Sequence, residues 1–244
     1  QIPNSAFYFI QTTGGSNSLN RIILPDHLKS IGSNAFYGCK YLTGALVIPE
    51  GVTEIRRGAF NGCTGLNGTL TLPSTLKKLG NRGEDDMQDE GTDYYGGVFQ
   101  GCKNLTGNLT LPDNLELIRG YCFAGCSGFY GALRLPTKLK RVGNCVFQGC
   151  SGLTGSLTIP QNITTIPSEA FHGCGFNGTL SLHDGIINIA NDAFADCHFR
   201  GELHLPKSLK VISDNAFGNN DFSGELKLPS SIGHIGSRAF ANNW

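Results

Sequence analysis

The residues best equipped for chemistry are His172-Gly173-Cys174, a thiol two positions from an imidazole, and a run of carboxylates between Arg82 and Gly96. The first has the ingredients of a Cys/His nucleophile, in which a neighbouring base activates the sulfur. The second contains Glu84, Asp85, Asp86, Asp89, Glu90 and Asp93, the clustered oxygens that a hard cation such as calcium requires. A third group, Glu202, His204, Glu225 and Lys227, repeats charged residues at one spacing in two successive segments. Each has to be weighed against the pattern around it.

That pattern is a phrase printed almost end to end: Leu-x-Leu-Pro-x-x-Leu-x-x-Ile-Gly-x-x-Ala-Phe-x-Gly-Cys, then x-x-Leu-Thr-Gly. Its Phe recurs as Phe7, Phe36, Phe60, Phe99, Phe123, Phe147, Phe171, Phe194, Phe217 and Phe240, at intervals of 23 or 24 except for the first, 29, and the third, 39. A fixed period in the twenties is the signature of a solenoid, in which each unit covers its neighbour's apolar face. The pattern disposes of the nucleophile. The slot of His172 holds Tyr37, Asn61, Gln100, Ala124 and Gln148 in sister copies, and seven cysteines share the slot of Cys174. Seven stacked thiols read as packing and weak S–H donation, not catalysis. Asn220 and Asn243, which replace Cys in the last copies, suggest a small donor beside backbone carbonyls.

Two extended pieces must position whatever binds. The tripeptide before Pro (for example Leu157-Thr158-Ile159) alternates apolar and polar residues, so its copies are expected to stack as a parallel sheet with one wet face. Pro then stops the strand. The second piece is Leu-x-x-Ile, after which Ala-Phe returns inward to a stacked ring column. No helix-period pattern is present. Two outward rows result, one from Ala45 to Glu225 and one from Val47 to Lys227, with Arg134 and His204 in the second. Their middle is small and hydroxylated. A repeat sheet offers a broad rigid surface for a protein or glycan, and Arg134 with Glu202, His204, Glu225 and Lys227 are the candidate contacts. The competing reading is that Thr and Ser simply favour a wet strand face.

Bulk properties exclude several classes. Nineteen basic residues balance nineteen acidic ones, giving no general attraction to nucleic acid or anionic membrane. No apolar run approaches the roughly 18 residues of a membrane helix. The nine cysteines show no Cys-x-x-Cys pair and the histidines no ligand spacing, so no metal, cofactor or enzyme activity is expected. Cys122 and Cys145 are off-register, leaving Cys122–Cys126 or Cys145–Cys150 disulfides open against free thiols. The Asn-x-Thr triplets at Asn67, Asn104, Asn108, Asn162 and Asn177 read as turns entering a strand.

The 39-residue interval marks an acidic insertion at 82–96, with six acids and one base. By subtraction the rest of the chain carries five net positive charges. Three uses remain open for it: a solvated excursion, a calcium site without EF-hand spacing, or a protein contact in which Tyr94 and Tyr95 are the adhesive residues.

The recurrent Ile-Gly-x-x-Ala-Phe-x-Gly-Cys-x-x-Leu-Thr resembles the BspA-like class of leucine-rich repeats over nearly the whole chain. That resemblance implies adhesion and ligand binding at the cell surface or in secretion. The fold expected is a β-rich solenoid: a right-handed leucine-rich-repeat array with short parallel strands, coils of 23 or 24 residues and little or no α-helix. It forms one domain over 1–244, nine full coils plus a partial N-terminal one. The first and last copies are cut, so the chain reads as part of a longer array or a spacer, and its apolar ends allow end-to-end self-contact.

Overall fold

The computed structural model describes residues 1–8, 20–81 and 96–243. The molecule is a parallel β-solenoid, and no helix occurs among the described residues. Every strand is two residues long, as short alternating segments cut by Pro and Gly must be.

The most continuous ladder is built by Leu-x-x-Ile, not by the tripeptide. Ser30–Ile31, Glu54–Ile55, Lys78–Leu79, Leu117–Ile118 and Arg141–Val142 form one five-stranded sheet. Thr165–Ile166, Asn188–Ile189, Val211–Ile212 and His234–Ile235 form another of four. The residue after each Ile donates its N–H back one coil, as Arg56 does to Ile31 at 2.9 Å and Gly143 to Ile118 at 2.9 Å. Between the two sheets that residue is Pro167, which has no N–H to give. The ladder breaks there.

The expected continuous tripeptide sheet is corrected by the structure. Only Leu46–Val47 with Leu70–Thr71, and Leu157–Thr158 with Leu180–Ser181, pair as strands. The reason lies in the corner just before. At these two places it is in register, Gly68 N donating to Gly44 O and Gly178 N to Gly155 O. The side chains of Asn67 and Asn177 fix it by accepting the N–H of Gly44 (2.8 Å) and Gly155 (2.9 Å). Elsewhere the corner slips: Gly131 pairs with Leu153 and Ala132 with Thr154, 22 residues apart in a 24-residue repeat. Thr69 likewise faces Thr106, Gly107 faces Phe129, and Arg200–Gly201 pairs with Asp221–Phe222. After each slipped corner the following tripeptides form no strand pair.

Inside, the ten Phe rings stack without interruption at centroid separations of 4.9–5.6 Å. The column crosses the insertion, Phe60 to Phe99 at 5.6 Å and 7°. Stacking contributes about 0.5–1.5 kcal/mol per pair beyond burial. A second column, absent from the sequence reading, occupies the Leu slot of Leu-Thr-Gly: Phe176 stacks on Phe199 at 5.1 Å, and Phe199 meets Phe194 edge-on.

The cysteine column has the role expected of it. Each Sγ–H donates to the Phe carbonyl one coil back: Cys63 to Phe36 at 3.0 Å, Cys126 to Phe99 at 3.1 Å, Cys197 to Phe171 at 3.1 Å. Asn220 and Asn243 make the same bond to Phe194 and Phe217, both at 2.8 Å. All nine thiols are free and buried, so neither disulfide left open forms. Cys145 is off-register because it occupies a left-handed position, φ 55°, that sister coils fill with Asn34 or Asn215. His172 is not mere filler: its Nε2 lies 2.9 Å from Asp196 Oδ2 of the next coil.

Two outcomes follow. Asn177→Ala removes the cap that holds its corner, and should cost about 1 kcal/mol in urea unfolding; hydrogen exchange at the Leu157 and Ile159 amides should quicken, whereas exchange at Leu46 should not. Burial pushes the thiols of Cys102, Cys150 and Cys197 up to about 12 from an ordinary 9.0. A thiol raised on folding keeps its proton longer than the unfolded chain does, so its contribution is intact below about 9 and is lost as pH climbs toward 12. Native protein at pH 8 should therefore resist a thiol reagent at all nine sites, and stability should fall from about pH 9 upward.

Candidate functional site

The outward rows are where the sequence puts them. From Ala45 to Glu225 and from Val47 to Lys227, every member of both rows is exposed, because its neighbours in the tripeptide point inward. The slipped corners shape this face. Where tripeptides are unpaired they part, and the solenoid opens into grooves.

One groove, about 910 Å³, lies where Leu70-Thr71-Leu72 and Leu109-Thr110-Leu111 part, after the slip at Thr69 and Thr106. Its walls include Glu50, Ser74, Asn108, Asp113 and Arg134. A second, about 870 Å³, runs along the preceding coils between Ile23 and Val47 and shares Glu50 with the first. A third of about 310 Å³ joins Arg134 to Thr158 at the parting after Gly131 and Leu153. Arg134 thus stands between the first groove and the third, and Glu50 between the first and the second.

Electrostatics divide the face. The guanidinium of Arg134 holds Asp113 Oδ1 through both Nη atoms, at 2.8 and 2.7 Å, with both residues exposed. Such a pair contributes little to stability and remains available to exchange partners. The backbone N–H and hydroxyl of Ser74 hold the Glu50 carboxyl below its usual value, keeping an anion on the rim between the two large grooves. The N-terminal part adds exposed apolar surface, Ile23 at 84% and Val47 at 58%.

The C-terminal candidates form a separate group. His204 Nδ1 lies 3.7 Å from Glu202, and Lys227 Nζ 3.0 Å from Glu225, each pair within a single coil and not across strands. Glu225 borders a small pocket of about 220 Å³ with Leu203, Phe222 and Phe240, again after a slipped corner. Arg134 is three coils from His204, so the structure does not unite the five residues into one site. Tyr94, Tyr95 and the acidic run of the insertion lie outside the described residues.

Sequence reasoning missed Ile23. The signal was available: Ile22-Ile23-Leu24-Pro25 is a tripeptide with its Pro, and Ile23 begins the row that continues at Val47. Of the triplets read as turns, Asn104 and Asn162 lie in turns and donate to Thr64 O and Thr137 O of the preceding coils, whereas Asn67, Asn108 and Asn177 do not lie in turns. Among the described residues no group of three or more His, Cys, Asp and Glu could hold a metal ion. No helix there is long and apolar enough to cross a membrane.

Comparison with known proteins agrees with this architecture. A leucine-rich repeat protein of T. pallidum is similar, at 25% identity and a TM-score of 0.48, covering 79% of this chain and 72% of that one. One from Bacteroides ovatus has 20% identity and a TM-score of 0.45, over 90% and 69% of the two chains. A leucine rich cell surface protein of Faecalibacterium prausnitzii has 17% identity and a TM-score of 0.49, over 82% of this chain and 45% of its own. No curated protein matches. The profile of the BspA type leucine rich repeat region matches in six copies, over residues 1–83, 95–198 and 129–244. With its Phe column, its Cys-to-Phe bonds and that match along nearly its whole length, the chain belongs to the BspA-type leucine-rich-repeat family.

Proposed function

We propose that the chain is a recognition and adhesion module of the cell surface or the secreted fraction, binding an extracellular protein or glycan through its tripeptide face. The observation that carries this is the line of grooves from Ile23 to Thr158, two of them opening where slipped corners part the tripeptides, with Val47, Glu50 and Arg134 along the line. A rigid concave surface of this kind, with apolar walls and a few placed charges, suits a macromolecular ligand. The reading takes 1–244 as one recognition domain and assigns it no catalytic chemistry, cofactor, metal or nucleic-acid partner. Arg134 is the central contact; Glu202, His204, Glu225 and Lys227 form a secondary one, and Tyr94 and Tyr95 a third within the insertion. The apolar ends leave room for contact between copies of the array.

The test is a binding screen of the intact chain against extracellular matrix proteins and glycans, beside Arg134→Glu, His204→Glu with Lys227→Glu, and a deletion of 82–96. Arg134→Glu should weaken binding by about tenfold, since it removes the partner of Asp113 and puts a like charge beside it. The C-terminal pair should change it by about twofold or less. An intact chain that binds nothing would identify a spacer displaying other domains.

A further inference from the structure

The Leu-x-x-Ile ladder presents a second surface, on a different side of the coil from the tripeptide grooves. Its outward residues in three successive coils include Lys77, Lys78, Lys138, Lys140 and Arg141, all exposed. Strand register fixes their layout: Lys78 is the partner of Leu117, and Leu117 of Arg141. Lys77 and Lys140 flank Glu116 in the same way, one residue earlier. Two coil spacings, about 10 Å, separate the cations of the outer strands.

Among the described residues the charge here is only partly compensated, Glu54 being the register partner of Lys78 on the adjoining strand. Glu116 is the one carboxylate set among the five cations in these three coils; Lys140 Nζ reaches it at 2.7 Å. Lys138 Nζ is spent on a neutral acceptor, Asn114 Oδ1 at 2.8 Å. Lys77, Lys78 and Arg141 have no carboxylate within ion-pair distance among the described residues. The nearest other acids are engaged elsewhere, Glu54 with Arg56 at 2.9 Å and Asp113 with Arg134. The Glu116 carboxyl is held below its usual value by the Lys140 hydrogen bond and charge, and by Lys77 and Lys138 as well, so several ammonium groups converge on one point. Five like charges on a rigid ladder repel one another and lower the cost of bringing in an anion.

We propose that this face binds a sulfated polysaccharide, laid along the solenoid axis across the coils of Lys77, Glu116 and Lys140. A linear chain with sulfate and carboxylate groups at regular intervals matches cations repeated every second coil. Nucleic acid fits less well, because these strands present no aromatic ring on which a base could stack. The surface is separate from the tripeptide face, so the inference stands whether or not that face binds a ligand.

The experiment measures binding of the full chain to immobilised heparin, to unsulfated dextran and to a single-stranded oligonucleotide of matched charge, at two salt concentrations. Alongside it runs a patch variant with Lys77→Gln, Lys78→Gln, Lys138→Gln and Arg141→Gln. A control variant removes the same number of cations elsewhere, with Lys40→Gln, Lys103→Gln, Arg200→Gln and Lys207→Gln. The expected result is salt-sensitive binding to heparin and none to dextran. The patch variant should lose about tenfold or more, and the control should stay within about twofold. Circular dichroism matching the parent secures the comparison. Absence of heparin binding, equal loss in both variants, or oligonucleotide binding as tight as heparin would each overturn the proposal.

Discussion

The structure depends on one carbonyl. In each coil from Phe36 to Phe171 the Phe C=O accepts two donors: the N–H of its own coil's Cys, as Cys126 N to Phe123 O at 3.0 Å, and the Sγ–H of the next coil's Cys, as Cys150 to Phe123 at 3.1 Å. The first bond closes the turn and the second fixes the next turn above it. Phe rings attached to turns locked this way must stack, and the apolar interior follows. A buried carbonyl left without a donor costs free energy, so the slot tolerates Cys or Asn but offers nothing to a larger residue. At Asn220 the amide reaches three carbonyls, of Phe194, Phe217 and Gly218, while its Oδ1 accepts the N–H of Phe199.

The same constraint explains how the array tolerates an insertion. The coil keeps its bonds on both sides of the insertion, and the turn beyond has the usual ones: Phe60 N to Val98 O and Gly62 N to Gln100 O, both 2.8 Å. On the near side Asn81 is held by its carbonyl, which accepts from Arg57 N, and by its amide, which donates to Glu54. Lys78 still pairs with Leu117 on the far side. Locally closed turns give each coil its own stability, and nearest-neighbour contact does the rest.

Rigidity on the Phe side leaves freedom on the other. Corners can pair in register or slip by two residues, and that choice decides whether the tripeptides pair or part. Grooves open at the slips, while the ladder of Leu-x-x-Ile is broken only at Pro167 and carries its cations at fixed spacing. The two faces therefore differ: grooves with mixed polarity on one, a regular array of positive charge on the other.

By itself the sequence determined the coil period, the Phe and Cys columns, the direction of every tripeptide residue and the donor role of Asn220. These are local and repeated, so comparing sister copies reveals them. It did not determine which ladder would be continuous. That rests on hydrogen bonds between residues 22 to 40 positions apart, and on single residues whose meaning is visible only across coils: Asn67 and Asn177, which hold a corner in register, and Pro167, which withholds a donor. Nor could it place Arg134 against Asp113. The His172-Gly173-Cys174 triplet, chemically the most suggestive stretch, resolved into an imidazole bound to Asp196 and a thiol bound to Phe147. Those partners come from neighbouring coils, and stacking alone brings them within reach.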